Sequence, residues 1–372
     1  MGLTSQTFLL VLVAIAVAVT ALVLWLWPRA AKKGPWALAS RLGLLVVAQA
    51  GILSVLLVAA NNEFGFYSTW NELLGRASGK QALQPGTEGG KRPPALVVKG
   101  QESVGLGPKE KAGRVDRIEI RGPVSGLSMD GYAYLPPQYF QKGHEKDRFP
   151  VIVAITGQPG TSKNLITQIK VPQAASAAVT AKQIRPTIVL MVRPSVVADR
   201  DTNCTDVPGG PQALTFFNQD LPVAVNDQYR ADNSRGAWGA VGNSTGGYCA
   251  LKAAMTNPAR YGAAAGLSAD LFARQDHTTG DLYAGNKQIR NESDLIWRLE
   301  HMPPPPASLL LAASRKGEEK YYEPMLKFAG KAKAPTKVDK LVREEGGHNF
   351  RTWREEYPAV LRWLDKELIA RS

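Results

Sequence analysis

Cysteine and histidine are scarce in this chain, which has two cysteines and four histidines among 372 residues. Two thiols are too few for a small disulfide-rich scaffold or for a zinc site with four thiolates. Cys204 and Cys249 can instead form a single bridge in an oxidising compartment, or remain apart as small buried side chains. The compartment of the folded part decides between these two alternatives.

Acidic residues are absent from the first 61 residues, which carry four basic ones, and the whole chain has a formal net charge of +13. The lysines and arginines are dispersed, whereas a nucleic-acid-binding protein gathers them on one stripe among stacking aromatics. We therefore expect no nucleic-acid partner and attribute the excess charge to an anionic membrane surface. Hydrophobic residues make up 44% of the chain, which is typical of a protein with a packed core.

Charged residues are also missing from an apolar run at about residues 7–27, and a second run at about 42–60 is nearly as apolar. A helix needs roughly 20 such residues to cross a bilayer. A cleaved signal peptide is the alternative for the first run, but the basic region that precedes such signals is lacking. The sequence thus predicts a membrane anchor of two transmembrane helices in residues 1–61.

The connection between the two runs carries Arg29, Lys32 and Lys33, and Arg41 lies at the start of the second run. The positive-inside rule places this connection in the cytoplasm, so both termini face outward. We therefore expect a multi-pass protein of the cell membrane whose large domain is extracytoplasmic. In that location a disulfide between Cys204 and Cys249 is favoured.

Residues 62–114 are rich in Gly, Pro, Lys and Gln and lack sustained periodicity, which indicates a linker. Residues 115–372 have the size of one ordinary α/β domain. Eight β-branched or apolar runs alternate there with helical patterns, and the first two alternate apolar with polar residues. The pattern predicts a mostly parallel, doubly wound sheet with an antiparallel start, as in the α/β-hydrolase fold.

The strongest motif is Gly242-Asn243-Ser244-Thr245-Gly246, which stands between an apolar run, "AWGAV", and a helical pattern, "YCALKAAM". A serine in Gly-x-Ser-x-Gly at a strand-to-helix turn is held in an exposed, strained conformation that suits a nucleophile. A glycine-rich turn with an incidental serine is the alternative. In this context we predict that Ser244 is the catalytic nucleophile.

A nucleophilic serine needs a base, and histidine suits that task best near neutral pH. His348 follows the last predicted strand and precedes the terminal helix, where a doubly wound hydrolase places its base. We therefore choose His348. The other three histidines are expected to be surface or capping residues: His144, His277 and His301.

The acid that orients the histidine should lie between Ser244 and His348 in the chain, on a loop after a strand. Glu319 follows the run "SLLLAAS" and is our preferred candidate. Its neighbour Glu318 and the earlier Asp270 remain alternatives.

An oxyanion hole needs two backbone N–H groups, one of them from the residue that follows the nucleophile. Thr245 supplies that donor. The second is expected from Gln158 or Gly157 in the loop "TGQPG", after the run "VIVAI". Together these residues predict acyl transfer through a serine ester.

The segments "GNSTGGYCA", "TGQPG" and "GGHNFRTW" resemble the esterase D and mycolyltransferase branch of the α/β hydrolases over about residues 115–368. With "RDTNC", "HTTGDLY" and the two-span anchor, the chain is similar to membrane-anchored esterases of actinobacteria. The resemblance implies acyl-ester hydrolysis or transfer through an acyl-enzyme, without a cofactor or a metal. Asn349 stands where mycolyltransferases usually have Ser, so the choice between water and another acceptor stays open.

These observations favour a membrane-anchored extracytoplasmic serine esterase that acts on a lipid or cell-envelope ester. The alternative is a catalytically inactive hydrolase fold that binds an envelope component. The oligomeric state is left open.

Overall fold

The computed structural model describes residue 3 and residues 5–30, 34–64, 70–73, 94–197 and 200–369. The chain divides into two compact units, Met1–Ala77 and Ser78–Ser372. Each unit is described by itself.

The N-terminal unit consists of the helices α1 (Gln6–Leu26), α2 (Pro35–Phe64) and α3 (Trp70–Leu73). Helix α1 begins where the Ser5 hydroxyl accepts the N–H of Phe8 at 3.1 Å. Helices α1 and α2 approach closely at Gly51, where an added Cβ would lie 3.6 Å from Ala16. By length and composition, Gln6–Leu26 and Pro35–Asn62 can cross a membrane, although α1 also suits a signal sequence.

The predicted apolar runs 7–27 and 42–60 match these helices, but α2 begins seven residues earlier than the second run. Proline is tolerated in the first turn of a helix, so Pro35 opens α2 without losing a needed hydrogen bond. The single charge of Arg41 does not interrupt the helix, because arginine is a good helix former, and its guanidinium lies 5.7 Å from the ring of Trp27.

The C-terminal unit is built around one sheet of nine strands, in the order β1-β2-β3-β5-β4-β6-β7-β8-β9. The strands are β1 (Leu96–Gln101), β2 (Arg114–Arg121), β3 (Ser128–Leu135), β4 (Val151–Ile155), β5 (Ile188–Val192), β6 (Trp238–Asn243), β7 (Tyr261–Leu267), β8 (Ser308–Lys316) and β9 (Lys337–Glu345). The pairs from β1 to β3 and the pair of β3 with β5 are antiparallel, and all others are parallel.

The helices of this unit are α4 (Lys109–Ala112), α5 (Ser162–Thr167), α6 (Val171–Thr180), α7 (Ala213–Thr215), α8 (Leu221–Gln228), α9 (Thr245–Thr256), α10 (Lys287–Glu292), α11 (Leu295–His301), α12 (Glu319–Lys331) and α13 (Phe350–Ile369). A 3₁₀ helix, Pro137–Phe140, and a π-helix, Phe216–Asp220, complete the list. All eight predicted strands and the antiparallel start of the sheet are present, so the predicted α/β-hydrolase fold is confirmed.

Strand β1 lies inside the predicted linker, residues 62–114. The predicted start of the domain at residue 115 is therefore too late. Strand β1 pairs antiparallel with β2, from Leu96 opposite Ile120 to Gln101 opposite Asp116. The pattern of β1 is weak because Leu96 is its one fully buried residue and Gly100 stands beside a register shift. The described part of the domain therefore begins at residue 94.

Two apolar clusters cover the two faces of the sheet. Alternate residues of β4 divide between them: Val151, Val153 and Ile155 face one cluster, and Ile152 and Ala154 face the other. Helix α9 packs in the first cluster and α13 in the second. The segments before these two helices therefore meet at the carboxyl edge of the sheet from opposite faces, which is where ligands bind in such sheets.

Candidate active site

Ser244 occupies the sharp turn between β6 and α9, with φ 53° and ψ −126°. Such a positive φ is unusual for a residue with a side chain and stores strain at functional turns. The turn closes because glycines flank it: an added Cβ at Gly242 would lie 2.2 Å from the carbonyl oxygen of Gly246, and one at Gly246 would lie 2.2 Å from the carbonyl oxygen of Ile155, at the end of β4. Helix α9 can approach strand β4 this closely only with glycine at position 246.

His348 lies in the loop between β9 and α13, and its Nε2 is 3.0 Å from Oγ of Ser244. Its ring stacks on Tyr321, with centroids 4.6 Å apart, and Trp353 packs edge-on at 4.9 Å. The structure thus brings together the two residues that the sequence assigns as nucleophile and base, 104 positions apart.

The pKa of His348 is lowered to about 4, chiefly by burial and then by the positive charges of Lys320 and Arg274. The imidazole is therefore neutral near pH 7. A neutral ring whose Nε2 faces a serine hydroxyl can accept the proton of that hydroxyl.

Glu319, our preferred acid, does not face His348. It is the first residue of α12, its side chain is exposed, and its carboxylate accepts the N–H of Gly317 at 3.0 Å. The N–H of Glu319 itself, followed by this bond, lowers the pKa of the carboxyl group. The side chain caps its own helix.

Glu318 points inward from the preceding position and is only 2% exposed. Its carboxylate accepts the hydroxyl of Ser268 and, at 2.9 Å, the N–H of Ser314. Ser268 in turn accepts the indole N–H of Trp353 at 2.9 Å, and Trp353 packs on His348. Glu318 is thus a buried acid that is connected to the histidine through Ser268 and Trp353.

Asp270, the third candidate, is 8% exposed, and a single oxygen of its carboxylate accepts two N–H groups of Arg274 at 2.9 and 2.6 Å. Its negative charge is therefore paired with Arg274. The buried Nδ1 of His348 has no hydrogen-bond partner within the described ranges. Hence no candidate carboxylate bonds the ring directly in this conformation.

The loop with Gly157 and Gln158 packs against the serine turn. A Cβ added at Gly157 would lie 3.0 Å from Cβ of Ser244. The backbone N–H of Gln158 makes no hydrogen bond inside the described part of the chain, and Thr245 opens α9, where an N–H has no acceptor within the helix. Both are free to bind an oxyanion.

Cys204 and Cys249 form the predicted disulfide, with an S–S distance of 1.98 Å. Cys249 belongs to α9 and Cys204 to the loop after β5. Both cysteines are 1% exposed. The disulfide therefore ties that loop to the helix that begins after Ser244.

The remaining histidines lie away from the Ser244–His348 pair. His144 pairs with Asp147 at 2.6 Å, His301 stacks on Trp297 at 4.5 Å, and His277 is exposed. Sequence reasoning missed Tyr321 and Ser268 as neighbours of the histidine. Tyr321 lies three residues after Glu318, which is one turn of α12, so its position follows once the start of that helix is known.

The sequence matches the family described as "Putative esterase" over residues 124–364. An uncharacterized protein of Corynebacterium glutamicum is 24% identical over 251 residues, which cover 64% of this chain and 57% of that protein. The match thus spans less than two thirds of that relative's length.

Among solved structures, the chain is similar to an S-formylglutathione hydrolase of Agrobacterium tumefaciens, with a TM-score of 0.60, 16% identity, and coverage of 73% of this chain and 99% of that one. A fluorophosphonate-binding serine hydrolase of Staphylococcus aureus gives a TM-score of 0.54 and 15% identity, with 68% and 98% covered. At such identities the similarity shows the fold.

Proposed function

Because the chain belongs to this esterase family, we propose that it is a membrane-anchored serine esterase whose catalytic domain lies outside the cytoplasm. The observation that carries the proposal is the 3.0 Å contact between Oγ of Ser244 and Nε2 of His348 at a strained strand-to-helix turn. A structural serine needs neither the strain nor a neutral imidazole as its partner.

In the proposed reaction Ser244 attacks the ester carbonyl while His348 accepts the hydroxyl proton at Nε2. The alcohol leaves with that proton, and an acyl-serine remains. A water molecule, activated by the same imidazole, then hydrolyses the acyl-enzyme. The lowered pKa leaves His348 unprotonated across the neutral pH range, which is the form that can accept the proton.

The negative charge that develops on the carbonyl oxygen is proposed to bind the N–H groups of Gln158 and Thr245. Donors fixed in advance at this position are worth about a hundredfold to a thousandfold each in rate. The contact of Gly157 with the serine turn keeps the two donor loops close together.

Glu318 is the acid that we propose for the imidazolium. It is the one candidate of the three that is both buried and free of an arginine partner among the described residues. Nδ1 of His348 has no other partner among the described residues, and we propose that it bonds this acid during the reaction, since catalytic hydrogen bonds often form fully only with substrate bound.

The proposed substrate class is a lipid or other cell-envelope ester. Two apolar helices of membrane-spanning length support a tether to the bilayer, and Arg29 and Arg41 near their connection support a cytoplasmic position for that connection. The disulfide supports an oxidising compartment for the domain. The acceptor of the acyl group is water or a hydroxyl of an envelope component.

The test of the enzyme is labelling of the full chain in detergent with a fluorophosphonate probe, together with hydrolysis of short-chain and long-chain p-nitrophenyl esters. We expect labelling and turnover, both lost in Ser244→Ala. Folded wild-type protein that is neither labelled nor active would favour the inactive binding module.

The test of location is a set of alkaline phosphatase fusions, because this reporter is active only after export. A fusion after residue 372 should be active, and a fusion after residue 34 should be inactive. The reverse pattern would place the domain in the cytoplasm.

A further inference from the structure

The loop after β5 contacts both halves of the candidate oxyanion hole. We call its described residues, 193–197 and 200–206, the disulfide loop. Because β5 and β4 are parallel neighbours, this loop leaves the sheet beside the loop that carries Gln158. Its contacts with that loop and with α9 are side-chain bonds that the proposed reaction does not use.

At its first end the disulfide loop holds Gln158. Ser195 is 4% exposed, and its hydroxyl donates to Oε1 of Gln158 at 2.8 Å. The bond fixes the side chain of the residue whose backbone N–H is the proposed oxyanion donor. Ser195 therefore influences where that N–H points without contacting the substrate.

At its second end the same loop is attached twice to α9. Cys204 is bonded to Cys249, five residues after Ser244. Next to it, the hydroxyl of Thr205 accepts a hydrogen bond from Nζ of Lys252 at 2.9 Å. Both attachments lie on the helix whose first N–H, at Thr245, is the other proposed donor.

Short contacts within the disulfide loop join its Ser195 end to its Cys204 end. The carboxylate of Asp201 lies beside the Ser195 side chain and accepts the N–H of Asn203 at 2.8 Å. Sγ of Cys204 lies 3.8 Å from the carbonyl oxygen of Pro194, the residue before Ser195. Asn203 and Cys204 have φ values of 43° and 45°, and such conformations persist only where the surroundings fix them.

We propose that the Cys204–Cys249 disulfide and Ser195 are positioning elements that set the two oxyanion donors, Gln158 and Thr245, relative to each other. This inference rests on the proposed function. Catalytic donors must be held within about 0.5 Å of the productive geometry. A covalent link from one donor helix to the loop that holds the other donor supplies that constraint.

Four variants of the full chain test the proposal. Ser195→Ala should lower kcat for a p-nitrophenyl ester about fivefold to tenfold, and Cys204→Ala combined with Cys249→Ala about tenfold to a hundredfold, with KM changed less than twofold. Ser195→Thr keeps the hydroxyl and should retain most of the rate. The triple variant should lose little more than the disulfide variant, because both changes act through one connection.

The affinity for a boronic acid gives a second readout. A boronic acid forms a tetrahedral anion with the serine hydroxyl, and one oxygen of that anion occupies the oxyanion hole. In the Ser195→Ala and cysteine variants this affinity should fall in parallel with kcat. Asp220→Asn is the control for a weakened fold, because Asp220 accepts the N–H groups of Val124 and Ser125, at 2.9 Å each, outside the site. That variant should lose thermal stability but keep its boronate affinity.

The outcomes separate the two proposals. If wild-type protein is not labelled by fluorophosphonate, the proposed function fails. If it is labelled and active, but the cysteine and Ser195 variants keep full kcat and boronate affinity, only the positioning role is overturned. Equal losses in these variants and in Asp220→Asn would likewise overturn it, in favour of a purely structural disulfide.

Discussion

Tyr321 lies parallel to the ring of His348, with an angle of 9° between the two planes. Trp353 meets another side of the same ring at an angle of 86°. The two aromatic side chains keep water from the imidazole, and this burial is the main reason why the pKa of His348 is lowered to about 4. The pH range of the proposed enzyme therefore depends on a tyrosine.

Replacing Tyr321 should shift the pH profile. A lowered histidine pKa keeps the base neutral, so wild-type kcat/KM should stay level from pH 7 down to about 5 and fall near pH 4. Tyr321→Leu admits water to the ring and should move the acid limb upward by about one pH unit. The measurement is kcat/KM against pH on an acid-stable chromogenic ester.

Tyr321→Phe is the matched control, since it keeps the stacked ring and removes only a hydroxyl that lies 3.4 Å from Nε2. Its acid limb should coincide with that of the wild type. An acid limb that stays near pH 4 in Tyr321→Leu would mean that stacking does not control this pKa.

The choice of acid is tested by two neighbouring substitutions. Glu318→Gln removes the buried carboxylate and should lower kcat by about a hundredfold to ten-thousandfold, because the imidazolium loses its stabilising charge. Glu319→Gln changes an exposed capping side chain and should leave kcat within about twofold. The measurement is steady-state kcat of both variants. A larger loss of kcat in Glu319→Gln than in Glu318→Gln would identify Glu319 as the acid.

The glycine in the first turn of α9 should be irreplaceable. Gly246→Ala places a Cβ 2.2 Å from the carbonyl oxygen of Ile155, so strand β4 and helix α9 must separate. We expect a loss of about 3 kcal/mol or more in the free energy of unfolding, measured with urea, together with loss of fluorophosphonate labelling.

Gly330→Ala is the matched control within α12. No atom lies within 4 Å of the added Cβ there, and alanine favours the helix by about 0.5–1 kcal/mol. This variant should be at least as stable as the wild type. A Gly246→Ala protein of normal stability and activity would contradict the geometry of the turn.

Glu356 should make stability depend on pH. Its carboxylate is 2% exposed, neither oxygen has a partner in the described part of the structure, and burial, followed by the charge of Glu318, raises its pKa to about 8. The folded state therefore keeps a proton that the unfolded chain releases above about pH 4.5. The contribution of this proton to the free energy of unfolding is fully present below that pH and is lost as the pH rises toward 8.

Glu356→Gln removes this titration. The decrease in the free energy of unfolding between pH 5 and pH 8 should be smaller in the variant by about 1–3 kcal/mol. Urea unfolding at the two pH values measures it, with Glu355→Gln, on the exposed neighbouring side chain, as the control. Identical pH dependence in wild type and Glu356→Gln would show that the buried carboxyl group does not titrate in this range.

The serine turn and the histidine could be predicted because local sequence fixes both. Gly242, Ser244 and Gly246 specify one backbone turn, and His348 lies between the last strand and the last helix. The acid could not be chosen because Glu318 and Glu319 are adjacent, and the inward residue depends on where α12 begins. Sequence patterns locate a helix start only to within a few residues.

Strand β1 escaped prediction for a different reason. Three of its six residues are glycine or polar and a single side chain is fully buried, so neither sustained alternation nor a long apolar run is visible. Its existence depends on pairing with β2, which is a tertiary contact that propensity does not encode.

The border of the sheet opposite β1 bears on how copies of the protein meet at high concentration. Strand β9 leaves one side without a neighbouring strand among the described residues, and six of its nine residues are charged. Charged side chains on such a border discourage a second chain from extending the sheet by strand addition. Crowded copies of the protein should therefore stay separate along this border, even though its backbone groups offer a template for aggregation.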